Sequence, residues 1–376
     1  SLPPWKERGL SMGALELING KKPDGIEELC LAGLMSAARP VYAAGLALHR
    51  ALYARGIKKS RRLPCRNVCI GNLTLGGSGK TPTVTLAARL LSKEGIRPVV
   101  ISRGYLRKTS GDSLIIVSNG GEVTSDAATA GDEPVMMARS LPGVPVIACA
   151  DRYRAGMAAV EKFHPDIILM DDGFQHWALE RDCDIVCVNA ARSLGNMKLF
   201  PRGPLREPLD ALKRARGVIL TRSNDSGCLP AQETLIRAIA PNLPILRLRY
   251  ILGDPVPLFE KETEEPDSEP LHMKKALLFC GIADPESFFK LVGAVMPHIA
   301  GTLAFPDHVM YTPERIREIQ KEFSYRGAHY LLTTEKDAVK LLGAHLARLP
   351  LYYLGLRTEF ENPADEGVFL DLLRGI

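Results

Sequence analysis

Thr74-Leu75-Gly76-Gly77-Ser78-Gly79-Lys80-Thr81 has the residue types of a loop that grips a polyphosphate. Glycines let consecutive backbone N–H groups turn toward one anion. A helix starting at the lysine adds the partial positive charge of its N-terminus. Lys80 then reaches for the β- and γ-phosphates, and the Thr81 hydroxyl is placed for Mg²⁺. Thr74 stands where such loops usually carry a glycine, so a slightly different loop path is expected.

Asp171 closes the apolar run Ile167-Ile168-Leu169-Met170. An acid at the end of a buried strand beside a phosphate loop is suited to hold the loop's Mg²⁺. Asp172-Gly173-Phe174-Gln175-His176 follows as a loop at the carboxyl edge of the expected sheet, where open α/β folds bind ligands. Gly131-Asp132-Glu133-Pro134 puts two acids at a helix start. They can cap that helix, or Asp132 can belong to a base that takes a hydroxyl proton, and the residues alone leave both open. Pro201 to Pro208 is a stiff segment with Arg202, Arg206 and Glu207. Guanidinium groups suit phosphate, and Glu207 is within reach of a metal. His308, in Phe305-Pro306-Asp307-His308, is a lone histidine. Thr334-Glu335-Lys336-Asp337 lacks the spacer between lysine and aspartate that a guanine-reading motif needs, which argues against a GTPase.

The elements that must position these groups follow from the apolar pattern. Val68-Cys69-Ile70 reads as the strand before the phosphate loop, and Val84 to Leu91 as the helix after it. Strands are expected at Arg97–Ser102, Val144–Cys149, Asp166–Met170, Cys183–Val188 and Val218–Leu220, with a hairpin around Asn119-Gly120-Gly121. Helices are expected at 134–139 and 152–163. Alternating strands and helices imply a mainly parallel sheet with helices on both faces. A second α/β run begins near Lys275. The boundary between lobes is expected near 250–275, with the site in the cleft between them.

The chain has 376 residues and 46% apolar composition, ample for two α/β lobes. Net charge is +5, but no Asp or Glu occurs from Leu29 to Lys93. Such a one-sign span favours anionic partners. The stretch Leu29 to Tyr53 reads as two helices divided at Arg39-Pro40, too interrupted to span a membrane. With the basic cluster Arg55 to Arg66 behind it, it can lie on an anionic membrane surface or pack on its own domain. Ser1 to Asp24 shows no secretory pattern. Of the eight cysteines, the pairs Cys65/Cys69 and Cys183/Cys187 read as buried, reduced core thiols and not as a zinc site, and the set shows no disulfide framework.

Taken together, these motifs resemble the tetraacyldisaccharide 4′-kinase family of Gram-negative bacteria. The likeness runs through Gly71 to Pro82, Ser102-Arg103-Gly104-Tyr105, Gly131 to Pro134, Asp171 to His176, Gly203 to Pro208, Phe305 to His308 and Thr334 to Ala338. It spans roughly Arg39 to Tyr353, and the family's loop also explains Thr74. The resemblance implies a P-loop NTPase-like α/β fold. It implies transfer of the γ-phosphate of ATP to the 4′-hydroxyl of a tetraacylated disaccharide 1-phosphate, giving lipid IVA, with Mg²⁺ as cofactor. It pairs Asp132 with His308 across the cleft as the proton-accepting dyad beside Lys80. It makes Thr81, Asp171, Asp172 and Glu207 metal contacts, with Arg206 on phosphate. Arg103, Tyr105, Gln175 and His176 line the substrate site.

The expected organisation is a helical membrane-associating segment at 1–55, the P-loop kinase core at 56–255, an acidic, proline-rich connection at 256–274 and a smaller C-terminal α/β lobe at 275–376. The expected partners are ATP, an acylated disaccharide lipid and the anionic cytoplasmic face of the inner membrane, with peripheral attachment. The alternative is a nucleotide-switched P-loop ATPase adaptor at the membrane. Nucleic acid is not an expected partner, because the basic span lacks interleaved aromatic residues and an RNA-binding motif.

Overall fold

The computed structural model describes residues 14, 16–105, 107, 112–192, 194–225, 227–259, 270–342 and 349–376. In chain order its elements are α1 (Ile26–Ala54), β1 (Arg66–Asn72), α2 (Lys80–Lys93), β2 (Pro98–Ser102), β3 (Ile115–Asn119), α3 (Ala127–Ala130), α4 (Asp132–Ser140), β4 (Pro145–Ala148), α5 (Arg152–Phe163), β5 (Ile167–Asp171) and β6 (Cys183–Asn189). They continue with β7 (Gly217–Thr221), α6 (Leu229–Ile239), β8 (Ile245–Pro257), β9 (Ala276–Cys280), α7 (Pro285–Gly293), β10 (Ile299–Ala304), α8 (Pro313–Tyr325), β11 (Tyr330–Thr334), α9 (Glu335–Leu341), β12 (Leu351–Phe360) and α10 (Ala364–Arg374).

These elements form two compact units that interleave along the chain. One takes the described residues of Ser1–Ala87 with Asp166–Arg249 and Phe360–Ile376. The other takes Ala88–Pro165 with the described residues of Tyr250–Glu359. The consecutive division expected from composition follows the acidic stretch at 256–274. The units are instead drawn by strand pairing, which recruits segments distant in sequence. Residues 260–269 of that stretch, and residues 1–13 and 15 of the N-terminal segment, lie outside the described residues.

In the first unit the strands run in the order β8-β7-β6-β1-β5, all parallel. They are nearly continuous apolar runs because both faces of a parallel sheet are covered. β1 sits between β5 and β6, with Ile70 opposite Asp171 and Val68 opposite Cys183. Strand order reverses there, and such a switch point opens a crevice at the carboxyl ends of the strands. The phosphate loop leaves β1 at that point.

In the second unit β2 and β4 are parallel, and β3 pairs antiparallel to β4. β9 lies between β10 and β11, and β11 pairs with β12, all parallel. Alternate β9 residues point to opposite faces. Leu277 and Phe279 pack with Ile316 and Ile319 of α8, while Leu278 and Cys280 pack with Phe288 and Val292 of α7. The period-2 alternation of a strand thus gives this unit a helix on each side. α4 and α9 meet where Ser140 hydrogen bonds to Glu335 at 2.5 Å.

Three expected elements differ. Leu29 to Tyr53 is not two helices but part of one 29-residue helix with Pro40 inside it. Proline removes one N–H···O bond, to Ser36, but the alanines on both sides are strong helix formers and carry the helix past it. The connection expected at 256–274 does not begin as a loose segment, because β8 runs to Pro257. The hairpin at 119–121 reduces to a single bridge, Ser118 to Val123, and β3 finds its main partner in β4.

Cys69, Cys149, Cys183, Cys187 and Cys280 are buried, and all eight cysteines are free. Burial pushes the Cys183, Cys187 and Cys280 thiols up to about 12. Thiols held neutral in this way neither attack nor bind metal.

Candidate active site

The first cluster lies in the first unit. The loop after β1 turns through Gly76 and Gly79 at φ 93° and 78°, left-handed backbone that favours glycine. A Cβ at Gly76 or Gly77 would meet nothing within 4 Å, so the loop's outer side is open. Its inner side is tied down. Asn189 Nδ2 donates to the Gly77 carbonyl at 3.0 Å, and Thr221 Oγ1 to the Ser78 carbonyl at 3.0 Å. Thr74 is fixed by an antiparallel bridge to Leu205, and the Leu75 N–H donates to the Pro204 carbonyl at 2.8 Å. With its carbonyls directed inward, the loop is preorganised for an anion outside. Leu75 is exposed, while Ser78 and Thr81 are buried. Helix α2 begins at Lys80.

Lys80 Nζ lies 3.7 Å from Asp172 Oδ1. Asp172 also pairs with Arg206, whose Nη1 donates to both carboxylate oxygens at 3.0 and 3.2 Å. Asp172 holds this position with a φ of 51°. Asp171 is buried at the end of β5, in register with Ile70. Gln175 Nε2 donates to the Asn72 carbonyl at 2.9 Å and to Glu207 Oε1 at 3.2 Å. His176 is half-buried in the same loop, and its carbonyl accepts from Arg181 at 2.6 Å.

Glu207 is placed differently from the expected metal contact. It is fully buried, and Arg214 clasps both of its oxygens at 2.6 and 2.9 Å. The Arg214 guanidinium also stacks 3.6 Å over the Phe174 ring and donates to the Phe174 carbonyl at 2.9 Å. Glu207, Arg214 and Gln175 therefore brace the 173–177 loop. Arg214 had no sequence signal, because nothing about a lone arginine seven residues on marks it as the partner of Glu207.

Among the described residues, no three His, Cys, Asp or Glu side chains cluster as a metal cage. The donor chemistry nonetheless fits Mg²⁺. Mg²⁺ takes one or two carboxylates and completes its shell with phosphate oxygens and water. The Thr81 hydroxyl and the Asp171 carboxylate are hard oxygen donors of that kind.

The second cluster lies wholly in the second unit, so the dyad is not shared between two lobes. Asp132 opens α4 after Gly131, whose φ is 98°. A Cβ at Gly131 would come within 3.0 Å of the Tyr105 carbonyl, so glycine lets the Tyr105 loop pass close to Asp132. His308 Nδ1 is 2.8 Å from Asp132 Oδ2. The Glu133 N–H donates to the other oxygen, Oδ1, at 2.9 Å. The Tyr105 ring meets the imidazole edge-on at 5.7 Å. Tyr105 and Arg103 are exposed.

Lys336 completes this cluster, although nothing in its sequence surroundings marks a role for it. Its Nζ lies 3.3 Å from His308 Nε2, 3.0 Å from Asp307 Oδ1 and 3.9 Å from Asp132 Oδ2. Burial alone would raise the Asp132 pKa, but the His308 hydrogen bond and Lys336 outweigh it and hold the carboxyl below its ordinary value. The bond to Asp132 raises His308 above the usual histidine value, against the opposing pull of burial and Lys336. Burial would lower Lys336, but Asp132, Glu133 and Asp307 raise it, so it stays an ammonium.

An acid–imidazole pair of this geometry, with one ring nitrogen held by a carboxylate, takes protons from hydroxyl groups. A glycine loop with a lysine and a magnesium-type donor pair holds a nucleoside triphosphate.

Comparison with known proteins agrees with this chemistry. A family profile described as Tetraacyldisaccharide-1-P 4'-kinase matches residues 31–374. The chain is 40% identical over 303 residues to the Tetraacyldisaccharide 4'-kinase of Pelobacter propionicus, covering 81% of each. It is 39% identical to that of Geobacter metallireducens, covering 87% of this chain and 93% of the relative. Among solved structures it is similar to LpxK from Aquifex aeolicus in complex with ATP. The TM-score is 0.70 at 29% identity, over 91% of this chain and 99% of that one.

Proposed function

Starting from the fact that the chain belongs to the tetraacyldisaccharide-1-P 4'-kinase family, we propose how its residues divide the labour of phosphoryl transfer. The protein is an ATP-dependent kinase of lipid A biosynthesis that phosphorylates the 4′-position of a tetraacyldisaccharide. The observation that carries the residue assignment is the Asp132–His308 contact at 2.8 Å, which supplies the base such a transfer needs.

In this reading Lys80 and the amides of Gly76 to Lys80 hold the β- and γ-phosphates. Thr81 and Asp171 hold Mg²⁺, which when bound neutralises phosphate charge. Asp172 sets Lys80 and Arg206 in place, and Arg206 passes to phosphate once the nucleotide arrives. His308 Nε2 takes the proton of the 4′-hydroxyl as that oxygen bonds to the γ-phosphorus. The bond from the γ-phosphorus to the β–γ bridging oxygen breaks, and ADP leaves. Asp132 keeps the proton on Nδ1 and stabilises the imidazolium that forms. Tyr105 and Arg103, in the unit that carries His308, contact the sugar or its phosphate. Incubating the protein with radiolabelled ATP and the tetraacyldisaccharide 1-phosphate tests the activity. Label is expected in the lipid; hydrolysis of ATP with unlabelled lipid would favour a nucleotide-switched adaptor instead.

The same reading puts the protein on the cytoplasmic face of the inner membrane, attached from one side. The acceptor is lipid, and α1 presents Leu34, Val41 and Leu48 exposed at seven-residue spacing along one line, with Ile26 and Leu29 also exposed. By length and composition α1 would also suffice to cross a bilayer. Peripheral attachment suits it better, because Arg39, His49 and Arg50 interrupt its apolar surface and the basic residues 55–66 follow. Replacing Leu34, Val41 and Leu48 together by Glu is expected to abolish flotation with anionic vesicles. Turnover of vesicle-borne lipid should fall about tenfold or more, while turnover of detergent-dispersed lipid stays within about threefold. Unchanged flotation would remove α1 from the membrane contact.

A further inference from the structure

The geometry points to Lys336 as a positioning residue that keeps the His308 lone pair on Nε2, ready to accept a proton; this rests on the kinase reading above.

The two ring nitrogens of His308 face opposite kinds of partner. Nδ1 lies against a carboxylate oxygen, which only accepts, so Nδ1 carries the hydrogen. Nε2 lies 3.3 Å from the Lys336 ammonium, which only donates, so Nε2 must be the acceptor. A second carboxylate, Asp307, has Oδ2 only 3.8 Å from Nε2. Unopposed, it would draw a proton onto Nε2 and leave an imidazolium held between two carboxylates. Lys336 prevents this by pairing with Asp307 at 3.0 Å while pointing its own donors at Nε2. The incoming hydroxyl takes the ammonium's place on a nitrogen that is already unprotonated.

The turn that carries Lys336 is built to hold it there. Glu335, one residue before, bonds to Ser140 of α4, the helix that carries Asp132. Asp337, one residue after, is fully buried. It accepts from the Gly281 N–H at 2.9 Å and the Thr334 hydroxyl at 2.7 Å, and pairs with Lys340 at 2.7 Å. The groups that face the imidazole or act on its partners are thus Asp132 and Glu133 from α4, Lys336 and Lys340 from α9, Asp307 from its own loop, and the Tyr105 ring. Of the two lysines, only Lys336 approaches Nε2 within hydrogen-bonding distance. Its charge opposes protonation of His308.

Lys336→Met keeps the side chain's length and removes its charge. Its expected effect is a change in the shape of the pH profile of lipid phosphorylation. The acid limb should move to higher pH, with activity near pH 6.5 falling about tenfold and the alkaline plateau by less than about threefold. Lys336→Arg should restore the limb to its wild-type place. Histidine ¹⁵N shifts on the resting enzyme give a readout that needs no turnover. Neutral His308 should be the Nδ1–H form in wild type, and in Lys336→Met the imidazolium should persist to higher pH than in wild type. Thermal unfolding and ATP binding should match wild type, which separates this effect from misfolding. A Lys336→Met profile lowered evenly at every pH, or unchanged, would overturn the inference. So would an imidazole in that variant that titrates where the wild-type one does. Wild-type enzyme that shows the expected tautomer but leaves the lipid unlabelled would instead count against the kinase assignment.

Discussion

Asp132→Asn is expected to lower kcat for lipid phosphorylation by about 10³–10⁴-fold while the protein stays folded. The size follows from what the carboxylate does. Its Oδ2 accepts from His308 Nδ1 at 2.8 Å and its Oδ1 from the Glu133 N–H at 2.9 Å. Asparagine can retain the backbone bond through its carbonyl, but its NH₂ then faces Nδ1 as a donor. With the amide donating at Nδ1 and Lys336 donating at Nε2, the imidazole proton faces a donor on either nitrogen, and the tautomer with a free Nε2 lone pair is no longer held. The base is then only partly in the competent tautomer. It also loses the anion that would stabilise its protonated form. The loss should persist at every pH, because raising the pH does not restore the tautomer. This separates the variant from Lys336→Met, which recovers in alkali. The phosphate loop belongs to the other unit, so ATP affinity should stay within about threefold. Single-turnover phosphorylation with excess enzyme checks the chemical step directly. Residual activity within about tenfold of wild type would remove Asp132 from the proton path.

What the sequence revealed divides along a physical line. The phosphate loop was legible because its function is local: backbone turns, a lysine and a helix start are contiguous from Thr74 to Thr81. The parallel strands were legible because burial on both faces makes them unbroken apolar runs. Longer-range features were hidden. Asp132 and His308 are 176 residues apart, and no spacing pairs them; only the family resemblance did. The motif around Lys336 is visible in the sequence, but its role is not, because that depends on where His308 Nε2 lies. The family resemblance implies Glu207 as a metal contact, yet Arg214 closes over it, a pairing that no local spacing marks. Pro40 was read as a helix break because proline usually is one, and the surrounding alanines overrode it. The interleaving of the two units was invisible, since composition marks linkers and not strand partners.

The first cluster raises a sharper question, whether Asp172 serves the lysine or the metal, and the answer turns on Lys80. Lys80→Ala is expected to lower phosphoryl transfer by about 10²–10³-fold or more, since it removes a fixed positive charge where phosphate charge develops. Stability should change by no more than about 1 kcal/mol. Asp172 is a third exposed and retains Arg206 at 3.0 Å, so no isolated charge is left buried. The carboxylate that restrains Lys80 in the free protein then loses one of its positive neighbours while keeping Arg206, and repels the triphosphate more strongly. ATP affinity should therefore fall together with kcat. Adding Asp172→Asn to Lys80→Ala distinguishes the two roles. If Asp172 is only the counter-ion of Lys80 and Arg206, removing its charge relieves that repulsion, and the double variant binds ATP better than Lys80→Ala alone. If Asp172 also contacts Mg²⁺, the double variant loses about tenfold more activity, and raising Mg²⁺ recovers part of it. Near-normal transfer by Lys80→Ala would displace the triphosphate from the Gly76–Lys80 loop and, with it, the division of labour between the two clusters.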